Sequence, residues 1–328
     1  MPVMKRRQAV VKRRDISVDY TKIGRGTTME EALEQAVRIF ISEGLRERTI
    51  DDYRKFWAEF TEIVGKQAVQ DCTVDDIRRY IGVLLRKRRL SPVTVNVRLG
   101  GVKSIFTRLE NDGIINVSPA AAVPKLRTDE KVLYAIRNDQ AKRLFAVIDT
   151  NTVAGFRDYC ALYTIFKAGL RPNEIQKLEI ADVDFENEVF MLPGAKNKNR
   201  KNRAVPMSRK IKPHLQQLIA ENREYFGHGI THVFLNQFGE PMKEDHLRKR
   251  MHVYVKKAGL KEAGQRLSPY SLRHAFAINY LNNGGNIRHL QMILGHAELS
   301  TTEIYLDYTD TQVSDGFKKV DEQDTFEL

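Results

Sequence analysis

Between Ser268 and Thr309 the chain reads SPYSLRHAFAINYLNNGGNIRHLQMILGHAELSTTEIYLDYT, a stretch that sets Arg273, His274, His296 and Tyr305 beside expected helix ends. A permanently charged guanidinium, imidazoles and a phenol gathered in one place suit the handling of a phosphate. Ser268-Pro269 reads as N-cap and first helical residue, because proline lacks only a donor that is unused there. Leu272, Phe276 and Tyr280 recur four apart as a buried face, and Asn283-Gly284-Gly285 ends that helix. Ile287, Leu290, Ile293 and Leu294 make a second stripe, closed by Gly295. Ser300-Thr301-Thr302-Glu303 has capping-box spacing and predicts a third helix carrying Tyr305 and Tyr308. Upstream, one helix stops at Ala168-Gly169 and Pro172 restarts another, which holds Arg171 in a tight turn. There it caps a helix end, pairs with Glu174, or does chemistry.

LSPYSLRHAF, LGHAELSTTEIY and, at 168–175, AGLRPNEI together resemble the tyrosine recombinase (phage integrase) family, in the family's order and with its spacing. The resemblance implies roles. Arg171 and Arg273 would clamp the two non-bridging oxygens of a phosphodiester, and His296 would donate to a phosphate oxygen. Tyr305 would attack phosphorus, leaving a 3′-phosphotyrosyl enzyme and a free 5′-hydroxyl. Tyr308 competes for that role, and the nine-residue step from His296 favours Tyr305. A lysine on a hairpin would act as general acid. Strand-like segments Glu188–Leu192 and Arg203–Pro206 flank the basic tip GAKNKNRKN. Counting back from the second strand reaches Lys198, and counting forward from the first reaches Lys196, with Lys201 a third candidate; Lys198 is the expected acid. Most relatives have histidine or lysine three residues before Arg273, where this chain has Tyr270, a poor base near neutral pH. His274 is expected to be a structural hydrogen-bonder. No cofactor is implied, neither metal nor ATP, since the covalent link conserves the energy of the broken bond.

Elements that would position these residues fall into two groups, which predicts a mainly α chain with a small antiparallel β-sheet. Apolar stripes Leu33/Ala36/Val37/Phe40, Ile50/Tyr53/Phe56/Phe60/Ile63, Val74/Ile77/Ile81/Leu84 and Val95/Val102/Ile105/Leu109 predict a four-helix bundle over 27–115. Thr73 and Ser91-Pro92 mark two of its helix starts. The family's SAM-like core-binding domain occupies this place, so Arg86, Lys87, Arg88, Arg89, Arg98 and Lys103 become candidate DNA-backbone contacts, joined by Lys196 and Lys201 on the hairpin. Residues 116–134, with two prolines and no apolar period in NVSPAAAVPKLRTDE, read as a linker. Residues 135–310 then form a mixed α+β catalytic domain. It has helices over 138–147, 156–167 and 172–178, a third strand at 232–235, and a helix over 243–258 whose Arg248, Lys249 and Arg250 face solvent or phosphate.

Charge is consistent with a polyanionic partner: 54 Lys and Arg against 42 Asp and Glu give a formal net charge of +12. The first 26 residues are basic and suit an arm along DNA or a solvated tail, whereas 311–328 is acidic and suits docking on a neighbouring protomer or a frayed end. Cys72 and Cys160 lie far apart in apolar patterns and read as buried thiols. No apolar run is long enough to span a bilayer, which predicts a cytoplasmic, nucleoid-associated protein. The expected partner is a double-stranded recombination site, held by a homotetramer on two DNA sites that is a monomer or weak oligomer when free. A type IB topoisomerase-like enzyme and a DNA-binding relative that has lost catalysis are the alternatives.

Overall fold

The computed structural model describes residues 26–129, 133–194, 201–243, 245–260 and 267–308. The arm up to residue 25, Lys196, Lys198, the acidic tail from 311 and the side chain of Tyr308 lie outside the described residues. The chain divides into two compact units, residues 1–131 and 132–328.

In the first unit, α1 (Met29–Ser42), α2 (Glu47–Val64), α3 (Val74–Arg86) and α4 (Pro92–Asn111) form the expected bundle. Two of its starts, at Thr73 and Ser91, are the ones the sequence marks. Thr28 and Glu31 exchange backbone–side-chain bonds in a capping box, as do Thr73 and Asp76, and the Ser91 hydroxyl accepts from the Thr94 N–H at 3.3 Å. Trp57, Phe60, Tyr80 and Phe106 meet edge to face in the core, with centroids 5.1 Å apart for Trp57–Phe106 and 5.4 Å for Phe60–Tyr80. Buried beside them is Glu59, whose carboxylate accepts from Tyr80 Oη at 3.0 Å, from Arg88 at 2.7 Å and from Arg98. The stretch read as a linker begins on this bundle. Ala120 and Val123 are in its core, Asn96 brackets the Leu126 peptide with bonds of 2.9 and 2.8 Å, and Lys103 Nζ donates to the Val123 carbonyl.

The second unit runs α5 (Asn138–Ala146), α6 (Val153–Ala168), α7 (Pro172–Gln176), β1 (Val183–Asp184), β2 (Val189–Leu192), β3 (Arg203–Pro206), α8 (Lys212–Phe226), α9 (His246–Lys257), α10 (Pro269–Asn282), α11 (Ile287–Leu294) and α12 (Ser300–Glu303), then a 3₁₀ turn over Leu306–Tyr308. The sheet is antiparallel in the order β1-β2-β3, with Phe190 opposite both Val183 and Val205. Its third strand is therefore Val183–Asp184. The expected strand at 232–235 makes only isolated bridges, Glu179 with His232 and Leu235 with Pro241. Helix α8 carries an apolar face of Leu215, Leu218 and Ile219, which the sequence reading passed over. Arg250, expected to face solvent or phosphate, is partly exposed but committed to a buried carboxylate. With Arg157, His246 and Tyr254 it donates to Asp158, which is fully buried and whose carboxyl is held down at about 2, burial opposing and these donors outweighing it. Among the described residues, no helix is long and apolar enough to cross a membrane.

Trp57 is the chain's single tryptophan and lies two residues before Glu59, so its fluorescence reports on the bundle. Glu59→Ala strips a charge-assisted acceptor from Tyr80 and two arginines. It is expected to lower bundle stability by about 1–3 kcal/mol in urea unfolding followed by that fluorescence. A midpoint equal to that of the native chain would show the ion cluster to be energetically neutral.

Candidate active site

Helix α6 ends at Gly169, whose φ of 67° is left-handed and whose missing Cβ would stand 2.4 Å from the Phe276 ring. This tight C-cap lets α10 lie against α6 and turns the chain so that Arg171 becomes the N-cap of α7. Helix α11 ends in the same way at Gly295, with φ 63° and a would-be Cβ 2.2 Å from Arg203. Each end presents carbonyls that no helical N–H satisfies, bearing the negative end of the helix dipole.

Arginines occupy those carbonyls. Arg273, 3% exposed on α10, donates to Gly169 O and, at 2.7 Å, to Leu294 O. Arg171 donates to Gly295 O at 2.8 Å and to Glu174 Oε1 at 2.9 Å. Arg203, at the head of β3, donates to Leu294 O at 3.1 Å and to Glu174 Oε2 at 2.7 Å, and its buried Nε has no hydrogen-bond partner. Glu174 is buried and its carboxyl is held low by Arg203 and Arg171, which outweigh its burial. Three guanidiniums thus face one carboxylate, a surplus of positive charge. Burial, then Arg171, push Arg273 down to about 9, still charged at neutral pH.

His296 follows Gly295 directly. Its Nε2 lies 3.3 Å from the Arg273 guanidinium, which can only donate, so Nδ1 carries the proton and donates to Thr302 Oγ1 at 2.9 Å. Burial, with Arg273, Arg171 and Arg203, pushes this imidazole down to about 3. Tyr305 is 1% exposed, packed among Ala277, Leu281, Leu290 and Leu294, and its hydroxyl is 2.9 Å from His274 Nδ1. Burial raises its pKa, while Arg273 and Arg171 lower it. With so little surface, the phenol meets a phosphate only if the segment around it shifts.

The structure therefore brings Arg171, Arg273, His296 and Tyr305 together, as the sequence predicts. The third helix differs. α12 is one turn long with Leu299, not Ser300, at its N-cap, and Tyr305 sits in the turn after it. Tyr270 is 46% exposed and hydrogen-bonds no other described residue. Lys201 is exposed ahead of β3. Arg86, Lys87 and Arg89 are exposed around the end of α3, whereas Arg88, Arg98 and Lys103 hold Glu59 and the Val123 carbonyl. Arg203 went unnoticed in the sequence because one more cation after a basic hairpin tip carries no distinguishing period. The only signal was its place at the start of the second expected strand.

Folded His296 stays neutral down to about pH 3, while the unfolded imidazole takes up a proton below about 6.5. The unfolded state then binds more protons, so stability falls as pH drops through that interval. His296→Gln cannot titrate. The native chain's advantage in Tm over this variant is expected to shrink steadily from pH 7 to pH 4, and a constant difference would contradict a neutral imidazole.

Comparison with known proteins agrees with this geometry. The profile of the phage integrase family matches residues 135–312, and that of the phage integrase N-terminal SAM-like domain matches 31–115. Tyrosine recombinase XerC of Chlamydia trachomatis serovar D is 30% identical over 248 residues, 75% of either chain; XerC of Pelotomaculum thermopropionicum is 27% identical over 296 residues, 86% of this chain and 95% of its own. Among solved structures, a lambda integrase dimer bound to a core site superposes with a TM-score of 0.69 at 16% identity, covering 85% of this chain and 95% of that one. The Tn1549 transposon integrase in complex with circular intermediate DNA gives 0.67 at 21%, covering 84% and 94%. The chain belongs to the phage integrase family and is a site-specific tyrosine recombinase, an enzyme that breaks and rejoins DNA.

Proposed function

We propose that this recombinase cuts one strand at a time by attack of Tyr305 on a phosphodiester whose non-bridging oxygens lie between Arg171 and Arg273. Attack forms a phosphotyrosyl bond at the 3′ end and releases a 5′-hydroxyl, which the lysine at 198 protonates as it leaves. A 5′-hydroxyl from a second duplex then reverses the step, and two such rounds pass through a Holliday junction. The observation that carries this reading is the pair of guanidiniums fixed on helix C-termini, Arg273 buried and Arg171 partly so, both of which favour ionisation of the Tyr305 phenol. Held rigidly, they need no reorganisation as charge develops on the phosphorane. His296 begins as a neutral acceptor of Arg273. An arriving phosphate draws that guanidinium onto its own oxygens and frees Nε2; once the ring proton moves from Nδ1 to Nε2, the Thr302 hydroxyl donates to Nδ1 and the still neutral imidazole donates to the anion.

Two duplexes require two cleavages on each, hence a homotetramer across paired sites that is monomeric or weakly associated without DNA. Arg86, Lys87 and Arg89 on the bundle and Lys196 and Lys201 on the hairpin suit backbone contacts. Such contacts add affinity without reading sequence and make it fall steeply with salt. The partner is duplex DNA and not a membrane, which places its work at the nucleoid.

A nicked duplex that loses its short cleaved fragment should trap the enzyme as a covalent adduct. Tyr305→Phe is expected to abolish the adduct while retaining binding in a gel shift, and Arg273→Ala to slow its formation about 10²–10³-fold. An adduct formed normally by Tyr305→Phe would remove the assigned nucleophile. Junctions between two marked duplexes should appear with the native enzyme; their absence beside a normal adduct would reduce the activity to cleavage and resealing.

A further inference from the structure

We infer that His274 is the general base of this enzyme, taking the phenolic proton of Tyr305 through Nδ1 as the oxygen bonds to phosphorus. The inference rests on the cleavage chemistry proposed above. In that chemistry a phenol near neutral pH has to lose a proton, and Tyr270, at the position where relatives carry a base, is a second phenol with no hydrogen bond to a described residue. His274 Nδ1 stands 2.9 Å from Tyr305 Oη, within the reach required of a base, and the two rings are 5.8 Å apart.

Its neighbours differ from those of the other imidazole. His296 lies against Arg273, is held neutral by burial and by three guanidiniums, and donates its Nδ1 proton to Thr302, so it takes no further proton near neutral pH. His274 faces the nucleophile itself and is half-buried. It follows Arg273 on α10, and adjacent Cα atoms are about 3.8 Å apart. A base mounted there travels with the arginine that grips the phosphate, so a shift of Tyr305 toward that phosphate keeps it near His274. Among the described residues, Arg171, Arg273 and His296 are charged or titratable groups close to the pair, and His274 makes a further interaction besides that with Tyr305.

The step balances. The Oη–H bond breaks and its proton goes to Nδ1; the Oη–P bond forms as the P–O5′ bond breaks, and the leaving oxygen takes its proton from the hairpin lysine. Rejoining runs the same transfers backwards, with the imidazolium returning its proton to the departing phenol.

Asparagine places an amide where Nδ1 stands, so His274→Asn keeps a hydrogen bond to Tyr305 but cannot hold the proton; His274→Gln serves as a second variant. Single-turnover adduct formation on a nicked duplex, read from pH 6 to 9, is the measurement. Wild type should rise and level off once the imidazole is neutral. His274→Asn should be about 10²–10³-fold slower at pH 7, and its rate should climb through the whole range as hydroxide replaces the base. A substrate with sulfur at the bridging 5′ position needs no acid. It should restore Lys198→Ala and leave the His274→Asn defect in place. A rate within threefold of wild type, a faster rate, or an equal loss at every pH would each overturn the assignment. Tyr305-dependent adducts from the wild type would meanwhile keep the cleavage reading standing, and their absence would sink that reading instead.

Discussion

Two helices end where the guanidiniums begin, and the catalytic unit is organised around that meeting. The last carbonyls of α6 and α11 have no partners inside their helices and bear partial negative charge. Arg273 bridges both ends and Arg171 takes one of them. A planar fork of donors can bond two such carbonyls and still present N–H groups elsewhere, which a lysine's single ammonium cannot. The geometry depends on glycine at 169 and 295. Each must be left-handed, and each is touched by a side chain, Phe276 or Arg203, that a Cβ would displace. Backbone, packing and charge therefore fix one another.

That arrangement leaves the site electrically unfinished. Glu174 offsets one of three positive charges, and carbonyl dipoles temper the others without neutralising them. In a poorly solvated pocket such a surplus raises the energy of every further cation and lowers that of any anion. The consequences are visible in both directions. His296 is stripped of its proton, and the Tyr305 phenol, which burial alone would make a weaker acid, is drawn back by the same arginines. A phosphodiester brings the charge that this pocket lacks. In the proposed cleavage that stabilisation would grow as attack places a further charge on the phosphorane oxygens, so the binding preference and the catalytic preference would have one source.

Much of this was legible in the chain. Stripes at helical spacing gave the bundle and α10, because burial on one face imposes the period directly, and Thr73 and Ser91 mark starts through bonds made within three residues. Gly169 and Gly295 were readable as stops for the same local reason. What failed was decided by tertiary contact. Ser300 and Glu303 have the spacing of a cap, yet Leu299 takes the N-cap position. His296 bonds Thr302 from one side, and Tyr305 is pulled into the pocket beneath α11 after a single turn. The 232–235 segment is apolar enough for a strand but finds only single bridging partners. His274 was expected to be a structural hydrogen-bonder, and it does hydrogen-bond; that its partner is Tyr305 was not legible, since adjacency to Arg273 in sequence says nothing about which way a ring points around a helix.

Basic residues in this chain sort by what they already hold rather than by charge. Arginines outside the catalytic cluster cap helix C-termini too: Arg79 donates to the final carbonyls of α2, at 3.1 Å for Val64, and Arg143 to the carbonyls that follow α9, at 2.8 Å for Ala258. Arg88 and Arg98 neutralise Glu59, and Arg157 and Arg250 neutralise Asp158. A formal charge of +12 therefore overstates the cations on offer to DNA. Arg171, Arg203 and Arg273 use the same capping contacts, and the difference is number: three converge on two helix ends where one carboxylate answers them. In the proposed cleavage a capping arginine would become catalytic equipment through that imbalance, because among the described clusters an incoming phosphate would there complete an ion cluster instead of competing with one.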